Sequence, residues 1–176
     1  INIAALETSG IDVQAMYGFS AGNYGDMIID YAGTFLDELS SIPFPGADAI
    51  PCAGNFGNNC ALGAGSNPEY RHRVNLTWAT NVSGLDVVAV WRHFGETDND
   101  DTGDTLETNM DSVNYIDLVG MYQATDEMAV KVGVLNLFGE EPPVYSGAGP
   151  ALGNGNTYPT TYDTSTTMYA SVKYSF

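Results

Sequence analysis

The chain has 176 residues and a net charge of −17, from 5 basic and 22 acidic side chains, yet charged residues make up only 15% of it, against roughly 25% in an ordinary soluble domain. Five cations cannot neutralise a nucleic-acid backbone or grip an anionic membrane surface, and no apolar run approaches the ~18 residues of a membrane-spanning helix. A hydrophobic content of 44%, with 20 Gly and 11 Tyr, is too apolar for disorder and suits an all-β protein.

Alternation with a period of two marks the strands. Ile11, Val13, Ala15, Tyr17 and Phe19 alternate with Asp12, Gln14, Gly18 and Ser20; a less regular stretch, Met27 to Leu36, follows. His72, Val74, Leu76 and Trp78 alternate with Arg73, Asn75 and Thr77. Leu85, Val87, Ala89 and Trp91 alternate with Asp86, Val88, Val90 and Arg92. Val113 to Ala124 comes next, then Met128, Val130, Val132 and Val134 against Ala129, Lys131 and Gly133. The last set is Ala170, Val172, Tyr174 and Phe176 against Tyr169, Ser171, Lys173 and Ser175. Seven strands result, and no segment carries a capped helical period.

The connections alternate in length. Ser20 to Asp26, Thr80 to Gly84 and Thr125 to Glu127 are short; Asp37 to Tyr70, Gly95 to Ser112 and Leu137 to Thr166 are long. Compact soluble domains rarely carry several structureless loops beyond ~15 residues, whereas membrane barrels combine short periplasmic turns, long extracellular loops and strands of ~9–11 residues. The expected fold is therefore an antiparallel transmembrane β-barrel segment of about seven strands with that loop rhythm. A soluble secreted β-sandwich alternates too but does not require the rhythm.

Residues with chemical potential are few. Gly18-Phe19-Ser20-Ala21-Gly22 fits the nucleophile elbow, but another strand follows where that motif requires a helix; no catalytic site and no cofactor is expected. Asp98, Asp100 and Asp104 in the acidic loop partly imitate a calcium loop, yet Asn109 stands where the twelfth-position Glu belongs; a solvated loop is the simpler reading. Cys52 and Cys60, in a Gly/Asn-rich loop, are expected to form a disulfide. With His72 and His93 on different strands and far from the cysteines in sequence, a zinc site is not expected. Arg71, Arg73 and Arg92, three of the five cations, are expected to pair with acids on the polar strand face.

Several stretches, in order, resemble the C-terminal barrel region of TonB-dependent outer-membrane receptors. They are Leu6-Glu7-Thr8-Ser9-Gly10-Ile11-Asp12, the Cys52–Cys60 loop, Pro68-Glu69-Tyr70-Arg71-His72-Arg73, Trp78, Trp91-Arg92-His93-Phe94, Asn114-Tyr115-Ile116-Asp117-Leu118, Gly133 to Phe138, Pro142-Pro143, Asn156-Thr157-Tyr158-Pro159, Tyr162-Asp163 and the terminal Phe176. Gly139-Glu140-Glu141 and Thr164 to Thr167 depart from the family pattern. The resemblance implies a plugged barrel of 22 strands, of which residues 1–176 would be roughly the last third. It implies as partners the N-terminal barrel and plug of the same receptor, the TonB system, the barrel-assembly machinery and outer-membrane lipid. Val172, Tyr174 and Phe176 would be the assembly signal. The implied activity is energy-coupled uptake of a siderophore, corrinoid or oligosaccharide across a Gram-negative outer membrane, and the chain is not expected to close or transport alone. A small adhesion-type barrel is the alternative within the membrane.

Overall fold

The computed structural model describes residues 5–57, 59–60, 65–100, 109–144 and 161–176. In chain order the strands are β1 (Ala5–Ser20), β2 (Asp26–Ile42), β3 (Ile50–Pro51), β4 (Asn55–Phe56), β5 (Tyr70–Ala79), β6 (Leu85–Phe94), β7 (Thr97–Asn99), β8 (Asn109–Met110), β9 (Val113–Gln123), β10 (Met128–Leu135) and β11 (Thr167–Tyr174). The seven long ones form a single antiparallel wall ordered β1-β2-β5-β6-β9-β10-β11; β3 adds to the far end of β2, and β4, β7 and β8 form a small sheet of their own. The wall is not closed: β1 and β11 are its two edges.

The alternation places all seven wall strands, but it undershoots the first hairpin. β1 begins at Ala5 and β2 runs on to Ile42. Residues 5–10 are mixed on both faces, so no period announces them. The extension depends on a bulge, a register shift between Ser9 and Gly10. Glycine is required there because a side-chain carbon would stand 2.5 Å from the Phe35 carbonyl oxygen. At the opposite end the chain turns through a 3-10 segment, Gly22–Tyr24. Gly25 completes that turn with φ of 101°, in a backbone region that side-chain-bearing residues rarely adopt.

Register sorts the side chains into two faces. One face carries Val13, Ala15, Ile29, Val74, Leu76, Val87, Ala89, Ile116, Leu118, Val130, Val132 and Val172, with no Asp, Glu, Lys or Arg below the Gly10 bulge. Aromatics bracket it: Phe19, Trp78, Tyr122 and Tyr174 near the short turns, and Phe35, Tyr70 and Trp91 near the long loops. From Tyr70 to Trp78 the strand rises about 26 Å, or about 20 Å at a tilt near 40°, close to the ~25 Å apolar band of outer-membrane barrels. The other face carries all 5 cations, Arg71, Arg73, Arg92, Lys131 and Lys173, with Asp12, Asp30, Asp86 and Asp117.

Among the described residues no second sheet covers the apolar face, which leaves Ile11, Val132 and Val172 at 65%, 53% and 65% exposure. In water each such side chain would forgo about 1.5–3 kcal/mol of burial; in lipid it is at home. The described strands form one open wall and a small separate sheet, not two sheets that bury their inner faces against each other as in a sandwich. The buried cluster lies elsewhere. Phe56, Met110, Val113, Tyr115 and Tyr162, with Phe94 against them, pack at the loop end. Because Phe94, Val113 and Tyr115 point to the polar face, this cap of loop segments folds over that face.

Candidate functional site

The polar face near the loop end is the most chemically organised part of the molecule. Arg73 and Arg92 stand directly opposite each other on β5 and β6, and Arg71 lies two residues above Arg73. A cleft of about 420 Å³ opens beside them, with Gln14 and Thr34 on its far wall.

The three arginines have different fates. Arg92 is the hub of a network: its Nε and Nη2 donate to both Asp117 carboxylate oxygens at 3.0 Å, and Nη2 also donates to Asp163 at 2.5 Å. Its guanidinium lies 4.9 Å from the centre of the Tyr115 ring. Asp117 is buried and also accepts from the Asn136 backbone N–H at 2.9 Å. One carboxylate thus fixes the arginine and the start of the last long loop, while Asp163 brings the end of that loop to the same point. Arg73 donates to Asn75 at 2.9 Å. Among the described residues Arg71 and Arg73 make no ion pair. The expectation that the arginines pair with acids therefore holds for one of the three, because Asp117 and Asp163 converge on Arg92 alone.

The cap ties the three long loops together. Ser66 Oγ lies 3.3 Å from both Thr97 Oγ1 and the Tyr162 hydroxyl, linking one residue from each loop. Burial pushes the Tyr162 phenol above its ordinary pKa, partly offset by the Ser66 hydrogen bond. Cys52 and Cys60 are joined in a disulfide and are fully buried. Beside them β4 pairs in parallel with β7.

The remaining sequence candidates are dispersed. Asp98 lies on β7, its N–H bonded to the Gly54 carbonyl at 2.8 Å, and Asp100 follows with its N–H on the Phe56 carbonyl at 2.8 Å. Asp104 falls outside the described residues. Among the described residues no three or more His, Cys, Asp or Glu side chains gather as metal ligands. Ser20 ends β1 and is followed by a 3-10 turn and β2, at the opposite end of the wall from His72 and His93. Val172 and Tyr174 lie on the apolar face of edge strand β11, with Phe176 just beyond it, all strongly exposed. Pairing continues past β11, where the Ser175 N–H donates to the Glu127 carbonyl at 2.9 Å.

Tyr115, Asp117 and Tyr162-Asp163 form the network although sequence chemistry gave them no role; their only signal was membership of the two short stretches, 114–118 and 162–163, that carry part of the family resemblance. A second group lies on the apolar face at the loop-end belt. His72 and His93 are directly opposite across β5 and β6, with ring centres 5.0 Å apart. Tyr31 folds over the side-chain-free notch at Gly33, and its hydroxyl lies 3.2 Å from that of Tyr70. His72 is 9% exposed beneath them, and neither of its ring nitrogens has a hydrogen-bond partner, a burial that costs about 1–3 kcal/mol.

No protein-family description and no curated protein matches the sequence. Solved structures do match. A variant of the ferric enterobactin receptor PfeA of Pseudomonas aeruginosa, in complex with enterobactin, superimposes with a TM-score of 0.62 at 17% identity, over 96% of this chain and 23% of that one. A second PfeA variant gives a TM-score of 0.61 at 17% identity, over 96% of this chain and 22% of that one. The chain spans less than a quarter of the receptors it matches. In fold it is an all-β antiparallel barrel segment, similar to part of a ferric enterobactin receptor.

Proposed function

We propose that the chain is the C-terminal seven-strand portion of the barrel of a TonB-dependent outer-membrane receptor, which takes up a scarce ligand with energy supplied through the rest of the protein. The observation that carries this reading is the sorting of charge: all five cations lie on one face of the wall, and the opposite face is uncharged between two aromatic belts. Such a wall separates lipid from a polar lumen.

Strand direction supports a larger barrel. β1 and β11 both run from the loop end to the turn end, so a ring of identical copies would join β11 to β1 in parallel. Bacterial barrels are antiparallel with an even strand count. The complement must therefore add an odd number of strands from a different sequence, here the N-terminal barrel of the same receptor with its plug. Val172, Tyr174 and Phe176, which continue the apolar parity of edge strand β11, then serve as the signal for the barrel-assembly machinery.

In this reading Arg71 and Arg73 face the lumen at the end of the wall from which the acid-rich loop 95–112 departs. An acid-rich loop slows the approach of anions. The two arginines, without an ion-pair partner among the described residues, reward a ligand that brings anionic groups past it. That favours a ferric siderophore over a corrinoid or oligosaccharide, in keeping with the ligand of the structural neighbours.

The test uses the receptor that contains this chain. Joined to its N-terminal barrel it should migrate as a heat-modifiable monomer and take up labelled ferric siderophore; Arg71→Gln with Arg73→Gln should weaken binding about 10-fold, the scale of one lost charge-assisted contact. A protease-resistant, heat-modifiable monomer formed by the 176 residues alone would overturn the reading.

A further inference from the structure

We propose that Asp163 is a displaceable placeholder on Arg92: its carboxylate holds one anion-binding edge of that arginine until a polyanionic ligand in the cleft takes the edge over. This role rests on the reading of Arg71 and Arg73 as ligand contacts.

The division of the Arg92 guanidinium carries the inference. A guanidinium has five N–H donors in a planar fork, and a pair of them can hold an anion through two parallel bonds. The Nε–Nη2 edge is taken, since each of these atoms donates to one oxygen of Asp117 at 3.0 Å. Of the Nη1–Nη2 edge, Asp163 takes only the Nη2 half, through a single oxygen at 2.5 Å. Nη1 makes no hydrogen bond among the described residues. A ligand carboxylate or phosphate would take both halves and so make a bond that Asp163 leaves unmade.

The two carboxylates are not equally movable. The Asp117 side chain is 8% exposed and is also held by the Asn136 N–H, whereas the Asp163 side chain is 35% exposed. The Asp163 backbone has an anchor of its own, because its N–H donates to the Tyr115 hydroxyl at 3.2 Å. The carboxylate can therefore swing into water while the loop end stays seated and Asp117 keeps Arg92 in place.

This exchange selects the ligand. Arg92 lines the same cleft as Arg71 and Arg73. Arg73 stands directly opposite it and Arg71 lies two residues above Arg73, so neighbouring positions in this set are about 5–7 Å apart. A lone small anion settles at Arg71 or Arg73, which have no ion-pair partner among the described residues, and leaves Asp163 undisturbed. A ligand already held at Arg71 and Arg73 presents its next anionic group to Arg92 at high effective concentration, which is what displaces a tethered carboxylate. The class favoured is a ligand with three or more closely spaced anionic groups.

The experiment is calorimetric titration of the receptor that contains this chain, in detergent, with inorganic phosphate and inorganic tripolyphosphate as probes. Asp163→Asn removes the charge and keeps the backbone contact; it should tighten tripolyphosphate about 10-fold, the scale of one charge-assisted contact. Phosphate should tighten less than about 3-fold, through weak screened repulsion alone. Asp12 lines the same cleft and is bonded to Thr34, so Asp12→Asn removes an equal charge away from Arg92 and should tighten tripolyphosphate less than about 3-fold. Asp163→Ser, a second variant that retains the backbone anchor, should follow Asp163→Asn, and heat-modifiable mobility verifies that each variant assembles. Unchanged tripolyphosphate affinity in both Asp163 variants, or equal tightening by Asp12→Asn, would overturn the placeholder. If Arg71→Gln with Arg73→Gln still weakens tripolyphosphate binding in that event, the reading of those two arginines stands without it; tripolyphosphate binding indifferent to that pair overturns both.

Discussion

The wall and the cap treat apolar side chains in opposite ways. In the wall, the apolar side chains of β1, β2, β5, β6, β9, β10 and β11 point outward and stay exposed, and each strand is held chiefly by backbone pairing to its neighbours. In the cap, Phe56, Met110, Val113, Tyr115 and Tyr162 are withdrawn from water as in an ordinary soluble core. One short chain thus contains an uncharged apolar surface left open and a small water-excluding cluster over its polar side. Changes to one should leave the other largely intact, since distant sites without shared partners act independently.

The largest effect should come from emptying the cap. Phe56 is fully buried, and Phe56→Ala should cost the cap about 3–5 kcal/mol, the usual penalty for deleting a buried phenyl group. Hydrogen exchange should show loss of protection at β4, β7 and β8 with unchanged protection in β10 and β11. Equal loss in both regions would mean that wall and cap form one cooperative unit.

The complementary change strikes the wall. Val132 points to the apolar face in the middle of β10, while its neighbour Lys131 points to the polar face, 5.6 Å from the centre of the Tyr169 ring. Val132→Arg should destabilise the membrane-inserted protein by about 2–4 kcal/mol. Lys131→Gln, one residue away, should cost less than about 1 kcal/mol, the scale of a partly exposed cation–π contact. The contrast is read from unfolding in lipid vesicles. Equal penalties at the two positions would refute the assignment of faces.

These two regions were not equally legible in the sequence. The wall was readable because a barrel strand must alternate and because one of its faces carries no scattered charge; Val130, Val132 and Val134 against Lys131 are enough to set a face. Residues 5–10 were harder, since above the Gly10 bulge both faces of the hairpin are polar or mixed. The cap was not readable at all. Phe56, Met110 and Tyr162 come from three loops, and nothing in their local spacing says they meet; only long-range pairings such as β4 with β7 bring them together. The candidate site was half visible. Arg71, Arg73 and Arg92 could be singled out as rare cations, but which of them would find carboxylates depended on where the last loop returned. The histidines failed in the same way: residues 21 positions apart became neighbours only once the β5–β6 register was known.

The smallest effect separates cap from wall by pH. Tyr162 lies in the cap, outside the strands, and its phenol is held above the ordinary value of 10.0 chiefly by burial. An acid whose pKa is raised by folding is bound as its neutral form more tightly in the folded state than in the unfolded one. Its contribution is therefore complete below pH 10 and is lost as pH rises through the folded value. Tyr162→Phe removes this titration together with one hydrogen bond to Ser66, which keeps its contact with Thr97; the expected cost at neutral pH is about 1 kcal/mol. Subtracting the tyrosinate absorbance of Tyr162→Phe from that of the unmodified protein should leave a single phenol ionising above pH 10. If that phenol instead titrates at its ordinary value, Tyr162 is solvated and the three loops are not closed into one cap.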